Sequence, residues 1–164
     1  FEARADEAAS QSKDADATIV FVGTSSSEGS DRRSLSFSQD DLDLISKVSS
    51  VQRKTVIVAV SPGAVLMPWA DDVAAILMPF MPGQMFGNAI ANVLFGDVSP
   101  SGHLPITIPN KENEVNFTKE QYPGVDGDVQ YSDGLLVGYR WYDAHNVTPK
   151  FPVSLQHKIF IPCV

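Results

Sequence analysis

Cysteine is nearly missing from this chain. Cys163 stands alone beside the C-terminus, so no disulfide can close within the chain and no thiolate metal site can be assembled. No apolar run approaches the roughly eighteen residues needed to cross a bilayer as a helix, so a membrane partner is not expected. Positive charge is sparse and scattered, 12 Lys and Arg against 20 Asp and Glu for a net charge of −8, which argues against a nucleic-acid partner. The histidines (His103, His145 and His157) are far apart, and none has a neighbour at metal-ligand spacing. No Gly-x-Ser-x-Gly elbow occurs, which leaves Ser/His/Asp hydrolysis unsupported. The glycine-bearing segment Met81–Asn88 lacks the Lys-Ser/Thr ending and the spacing of a phosphate loop. Neither a metal nor a cofactor is expected, and there is no internal repeat or low-complexity tract.

What is present is the balance of a soluble globular domain. The chain has 164 residues, 43% hydrophobic and 20% charged, enough for one sizeable core and too few for two ordinary domains. It begins at Phe1 with no Met and no signal-peptide pattern, so the expectation is that its true N-terminus was removed or lies upstream. Two N-glycosylation acceptors, Asn116-Phe-Thr and Asn146-Val-Thr, lean towards a secretory compartment and a secreted glycoprotein.

The order of segments implies an α/β fold. Residues 2–13 are rich in Ala and Glu and read as a short helix, with Ala5, Ala8 and Ala9 on one side. Residues 17–23 form a continuous β-branched run closed by Gly23, the pattern of a strand buried on both faces of a parallel sheet. Ser38 has the chemistry of an N-cap for a helix over 39–50, with Asp40 and Asp41 in the first turn and Leu42, Ile45 and Val48 at helical spacing. Residues 54–60 and 73–78 read as further strands, the latter stopped by Pro79, and Pro82-Gly83 opens a helix through Leu94. This is the grammar of a largely parallel sheet sandwiched between helices. Residues 97–152 have a different character, a long irregular half in which Leu104–Ile108 alone reads as extended.

Ligands in parallel sheets bind beyond the carboxyl ends of the strands, which singles out the loops 24–36, 61–70 and 79–86. The first holds Ser25-Ser-Ser-Glu28-Gly29-Ser30-Asp31-Arg32. Glu28 has the residue type for general acid work if partial burial raises its pKa, and Gly29 permits a sharp turn beside it. Asp31 and Arg32 are placed to hold each other or to shape the loop. A solvated surface loop fits the same residues, and spacing alone does not separate the two. In the second loop Trp69 offers either an indole face for a sugar or a ring that packs the loop onto the core, the second being favoured. The Met and Phe residues of the third fit a core better than a binding box.

Four segments taken in order resemble family-3 glycoside hydrolases of the β-glucosidase type: Val20–Arg32, Ser61–Trp69, Met81–Pro105 and Val137–Asp143. The resemblance spans about residues 14–152 and implies an α/β sandwich domain packed against a TIM-type barrel, with the active site between them. It implies a barrel-supplied aspartate nucleophile, with Glu28 of the "EG.DR" motif as general acid/base of a retaining mechanism. A β-linked glucoside or oligosaccharide is then the expected substrate once a barrel is paired with the domain. The resemblance also marks what these residues do not match: no barrel, no start of the second domain, and a divergent segment from 153 to 164. Residues 1–152 are therefore expected to be a truncated domain, inactive alone, whose exposed face self-associates or takes a second chain. The alternative is a stand-alone, non-catalytic sugar- or protein-binding protein on the same scaffold.

Overall fold

The computed structural model describes residues 2–154, so Cys163, His157 and residues 155–164 of the divergent tail lie outside the described residues. Its elements run α1 (Glu2–Ser12), β1 (Thr18–Gly23), α2 (Gln39–Val51), β2 (Thr55–Val60), β3 (Ala75–Phe80), α3 (Phe86–Leu94) and α4 (Tyr139–His145). The strands form one parallel sheet in the order β1-β2-β3. β2 is covered on both faces, because successive side chains of a strand point to opposite sides and both sides carry helices. On one side Val20, Val22, Ile57, Ala59 and Ile76 pack with Ile45 and Val48 of α2. On the other, Val58 and Leu77 pack against Ile90 of α3.

α2 forms where its cap chemistry places it. The Ser38 hydroxyl accepts the Asp41 N–H at 3.1 Å, and Asp40 and Asp41 sit in the first turn, where the helix dipole favours negative charge. α1 packs against α2 through the Lys47–Asp6 ion pair at 2.6 Å, and its Ala8 packs against the core that holds Ile45 and Val48. The Gln52 amide donates to the carbonyls of Ser12 and Ala15, at 3.2 and 2.6 Å, and fastens the exit of α1 to that of α2.

Several boundaries differ from expectation. β1 is an edge strand of the described sheet and is not buried on both faces: Ile19 is 42% and Phe21 54% exposed. The short α3 lies over β2 and β3 and reaches β1 through the edge-on contact of Phe86 with Phe21. β3 runs through Pro79 instead of stopping before it. Pairing slips there, with Val58 opposite Leu77 and Val60 opposite Phe80, and such a bulge accommodates a residue with no N–H to donate. α3 starts at Phe86, after Gly83 has taken φ +71°, so Pro82-Gly83 is a turn before the helix and not its first turn. Leu104–Ile108 forms no strand and makes one antiparallel bridge, Ile108 to Phe151.

The irregular half contains α4, which no sequence signal marked. Its N-cap is Gly138 at φ +57°, with no side-chain cap and no acidic residue in the first turn. A tertiary clamp holds it instead. The buried Tyr142 donates its hydroxyl to Glu114 Oε2 at 2.8 Å, and Glu114 also accepts from the Asn110 backbone at 2.9 Å and the Asn110 amide at 3.0 Å. Burial pushes the Glu114 carboxyl up, but the Asn110 and Tyr142 hydrogen bonds and the Lys111 charge outweigh it and leave the group below its ordinary value. Burial first, then the Glu114 hydrogen bond and charge, push the Tyr142 phenol up.

These shifts fix the pH window of the clamp. A carboxyl held low adds stability that is present above its unfolded value of about 4.3 and is lost as pH falls through the folded value. A phenol held high adds stability that is present below about 10 and is lost as pH rises through its folded value. Urea midpoints measured against pH should therefore fall at both ends. Glu114→Gln should flatten the acid limb, and an unchanged acid limb would contradict the clamp.

Candidate functional site at the carboxyl edge of the sheet

Because β1 and β2 run parallel and in register from Thr18 opposite Thr55 to Gly23 opposite Val60, the loops that follow them leave at one edge. The Thr24 N–H donates to the Val60 carbonyl at 3.0 Å, and the Leu66 N–H donates to the Leu35 carbonyl at 2.9 Å. The 24–38 and 61–74 loops are thus neighbours, and residues 81–85 after β3 leave from the same edge.

Glu28 occupies the second position of a tight turn, Ser27 to Ser30, closed by the Ser30 N–H to the Ser27 carbonyl at 3.4 Å. Gly29 follows at φ +73°, a conformation that a side chain would strain. The Glu28 side chain is exposed. It presents a solvent-accessible carboxylate that is free to meet a partner surface.

Asp31 and Arg32 do not hold each other. Asp31 Oδ2 accepts the Tyr122 hydroxyl at 2.7 Å, whereas Arg32 Nη2 donates to the Ala64 carbonyl at 2.9 Å. Arg32 Nη1 is buried without a partner among the described residues. Trp69 is buried, 6% exposed, with its ring 6.2 Å from that of Phe37, so its indole lies in the core under the loop. The exposed Asn116 and Asn146 lie at positive φ, on a turn and at the end of α4 respectively.

A pocket of roughly 720 Å³ lies beside the Glu28 loop, lined among others by Arg32, Thr107, Glu112, Tyr122 and Tyr139, and Glu28 is not part of its wall. No cluster of three His, Cys, Asp or Glu suited to a metal occurs among the described residues, and none of their helices is long and apolar enough to cross a membrane. Sequence reasoning missed Tyr122 and Glu112. Glu112 Oε1 accepts from Ser34 Oγ and the Leu35 N–H, each at 2.6 Å. Both residues sit in the irregular half, far along the chain from the loop they touch, and no local pattern connects them to it.

The chain is similar to known proteins along most of its length. The family model of the Glycosyl hydrolase family 3 C-terminal domain matches residues 2–139. Thermostable beta-glucosidase B of Acetivibrio thermocellus is 40% identical over 149 residues, covering 89% of this chain and 20% of that protein. Probable beta-glucosidase J of Aspergillus fumigatus is 42% identical over 140 residues, 84% of this chain and 16% of its own length. Among solved structures, the β-glucosidase DesR of Streptomyces venezuelae, in complex with D-glucose, superposes with a TM-score of 0.88 at 39% identity, covering 93% of this chain and 20% of that one. The β-glucosidase of Bifidobacterium adolescentis gives 0.88 at 34% identity, covering 96% and 24%. The chain therefore spans about a fifth of the length of the relatives it matches. A parallel sheet flanked by helices, ending in an exposed glutamate turn, is thus the architecture of a chain that belongs to glycoside hydrolase family 3 and corresponds to part of its C-terminal domain.

Proposed function

We propose that Glu28 is the general acid/base of a retaining β-glucosidase reaction whose aspartate nucleophile comes from a barrel domain outside these residues. The observation that carries this reading is the placement of Glu28 on an exposed turn just past the carboxyl end of a parallel strand, beside the 61–74 loop. In such a reaction Glu28 protonates the leaving glycosidic oxygen while the nucleophile takes the anomeric carbon. It then removes a proton from the water that releases the glycosyl-enzyme. A retaining mechanism needs the two carboxyls about 5–5.5 Å apart, so Glu28 must project from this domain towards its partner. The substrate class is a β-linked glucoside or oligosaccharide. Asp31 and Arg32 shape the loop through Tyr122 and Ala64, and Trp69 supports it from the core. Domain limits of 1–152, with a divergent segment from 153 to 164, belong to the same reading. Turnover of an aryl β-glucoside by this chain grafted onto a relative's barrel, with and without Glu28→Gln, tests it.

The same edge is the surface that would meet the barrel. Met81 is 64% and Met85 60% exposed directly after β3, and Tyr122 is 56% exposed beside the Glu28 loop. Exposed apolar side chains gathered at one edge mark a partner surface. Presented alone, that edge is expected to drive self-association as concentration rises, and sedimentation velocity should show it. A monomer at high concentration would contradict the assignment of this edge.

Passage through a secretory pathway is part of the proposal, supported by the exposure of both acceptor asparagines. Expressed in a eukaryotic secretory host, the protein should carry glycan on Asn116 and Asn146 and lose mass on endoglycosidase treatment. Intact mass equal to the bare polypeptide would contradict it.

A further inference from the structure

The loop that carries Glu28 has little structure of its own. Between Gly23 and the start of α2, its internal hydrogen bonds include the Ser27–Ser30 turn and the bond from the Ser36 N–H to Ser34 Oγ at 3.0 Å. A side chain built on Gly29 would meet nothing within 4 Å, so nothing packs directly against the turn at that residue. The loop's course is set by what grips it on either side. Upstream the grip is β2, through Thr24 and Val60. Downstream it is the 61–74 loop, through Arg32 to the Ala64 carbonyl and Leu66 to the Leu35 carbonyl, together with the irregular half, where Tyr122 holds Asp31 and Glu112 holds Ser34 and Leu35.

Tyr122 is itself fixed by a compact hairpin. The Tyr122 N–H donates to the Thr118 carbonyl at 2.9 Å, Gly124 to Lys119 at 2.9 Å, and Gln130 to Glu120 at 2.8 Å. Val125 and Asp128 exchange backbone hydrogen bonds, each at 2.9 Å. Gly124 sits at φ +99°, and a Cβ there would come within 2.5 Å of the Asp128 carbonyl oxygen, so the hairpin closes too tightly for any other residue.

We infer that Tyr122 is a positioning residue for Glu28, acting through Asp31 to fix the downstream end of the turn, with Glu112 anchoring the segment that leads into α2. The inference rests on the reading of Glu28 as acid/base. The irregular half thereby acquires a definite role, because its hairpin carries a hydroxyl to the carboxylate that stands three residues after Glu28. The hydrogen bond is charge-assisted, and Asp31 pushes the Tyr122 phenol up, chiefly through that bond. An exposed contact of this kind adds little to global stability. Catalytic groups, however, must be held to within about 0.5 Å, and a misplacement of about 1 Å can cost roughly 100-fold in rate.

The test uses the chain as it is. Amide hydrogen exchange of the ¹⁵N-labelled protein is compared for wild type, Tyr122→Phe, Asp31→Ala and Asp31→Asn. Removing the hydroxyl should speed exchange at the Ser30 amide, which donates to Ser27, roughly three- to tenfold, the range expected for one lost hydrogen bond, and leave Ile57 and Val58 unchanged. Asp31→Ala should behave like Tyr122→Phe. Asp31→Asn keeps an acceptor oxygen and should stay within about twofold of wild type. The Tyr122 ring-carbon signal should titrate at higher pH in wild type than in Asp31→Ala. Unchanged exchange in Tyr122→Phe, an increase spread equally over β2, or an Asn variant no better than Ala would each overturn the inference. Because these readouts need no turnover, they judge the positioning even if Glu28 proves not to be the acid/base.

Discussion

Incubated with an aryl β-glucoside, this chain by itself should release no aglycone above the buffer rate. A glycosidase accelerates cleavage by many powers of ten through two carboxylates, one of them forming a covalent bond to the sugar. A positioned general acid contributes on its own roughly 10²- to 10⁴-fold, and then only with a substrate held against it. Glu28 lies on an exposed turn, and the pocket beside it does not include it, so that pocket does not hold a sugar against the carboxylate. Turnover that disappeared in Glu28→Gln would show that a nucleophile exists among these residues.

Grafted in place of the matching segment of the Acetivibrio enzyme, the chain should support turnover that depends on Glu28. Glutamine occupies the same volume but carries no transferable proton, so Glu28→Gln should lower kcat/KM on an alkyl or disaccharide β-glucoside by about 10²- to 10⁴-fold. That loss corresponds to roughly 3–5 kcal/mol of transition-state stabilisation. A substrate with a nitrophenolate leaving group needs little protonation and should lose far less in its first step. A uniform loss across leaving groups would indicate damage to binding or folding instead of a missing acid.

Much of the scaffold was legible in the sequence because its signals are local. The apolar runs ending in Gly23 and Val60 form strands because β-branched side chains pack well on a pleated surface, and Ser38 caps α2 because its hydroxyl reaches the Asp41 N–H. Parallel pairing then brought the loops after β1 and β2 to one edge, as the crossover rule requires. The features that were not legible depend on long-range contacts. The exposed side of β1 reflects how far α3 reaches, and the run Thr18–Gly23 reads the same whether one face is covered or both. α4 lacks a side-chain N-cap and is held by Tyr142 and Glu114. In the sequence Asp31 and Arg32 read either as holding each other or as shaping the loop, and no local signal decides between the two. Each takes a partner from elsewhere, Tyr122 in one case and the Ala64 carbonyl in the other.

The role of Glu28 is tested most directly by chemical rescue in the grafted enzyme. Glu28→Ala removes the carboxylate and leaves room for a small anion beside the anomeric carbon. With a nitrophenyl β-glucoside, the first step still forms the glycosyl-enzyme, but no base remains to activate water for its release. Added azide needs no such base. If Glu28 is the acid/base, azide should restore turnover in Glu28→Ala, leave the unsubstituted graft unaffected, and yield β-glucosyl azide with retained configuration. If Glu28→Ala instead keeps its activity without azide, or azide neither accelerates it nor appears in the product, Glu28 is not the group that moves the proton.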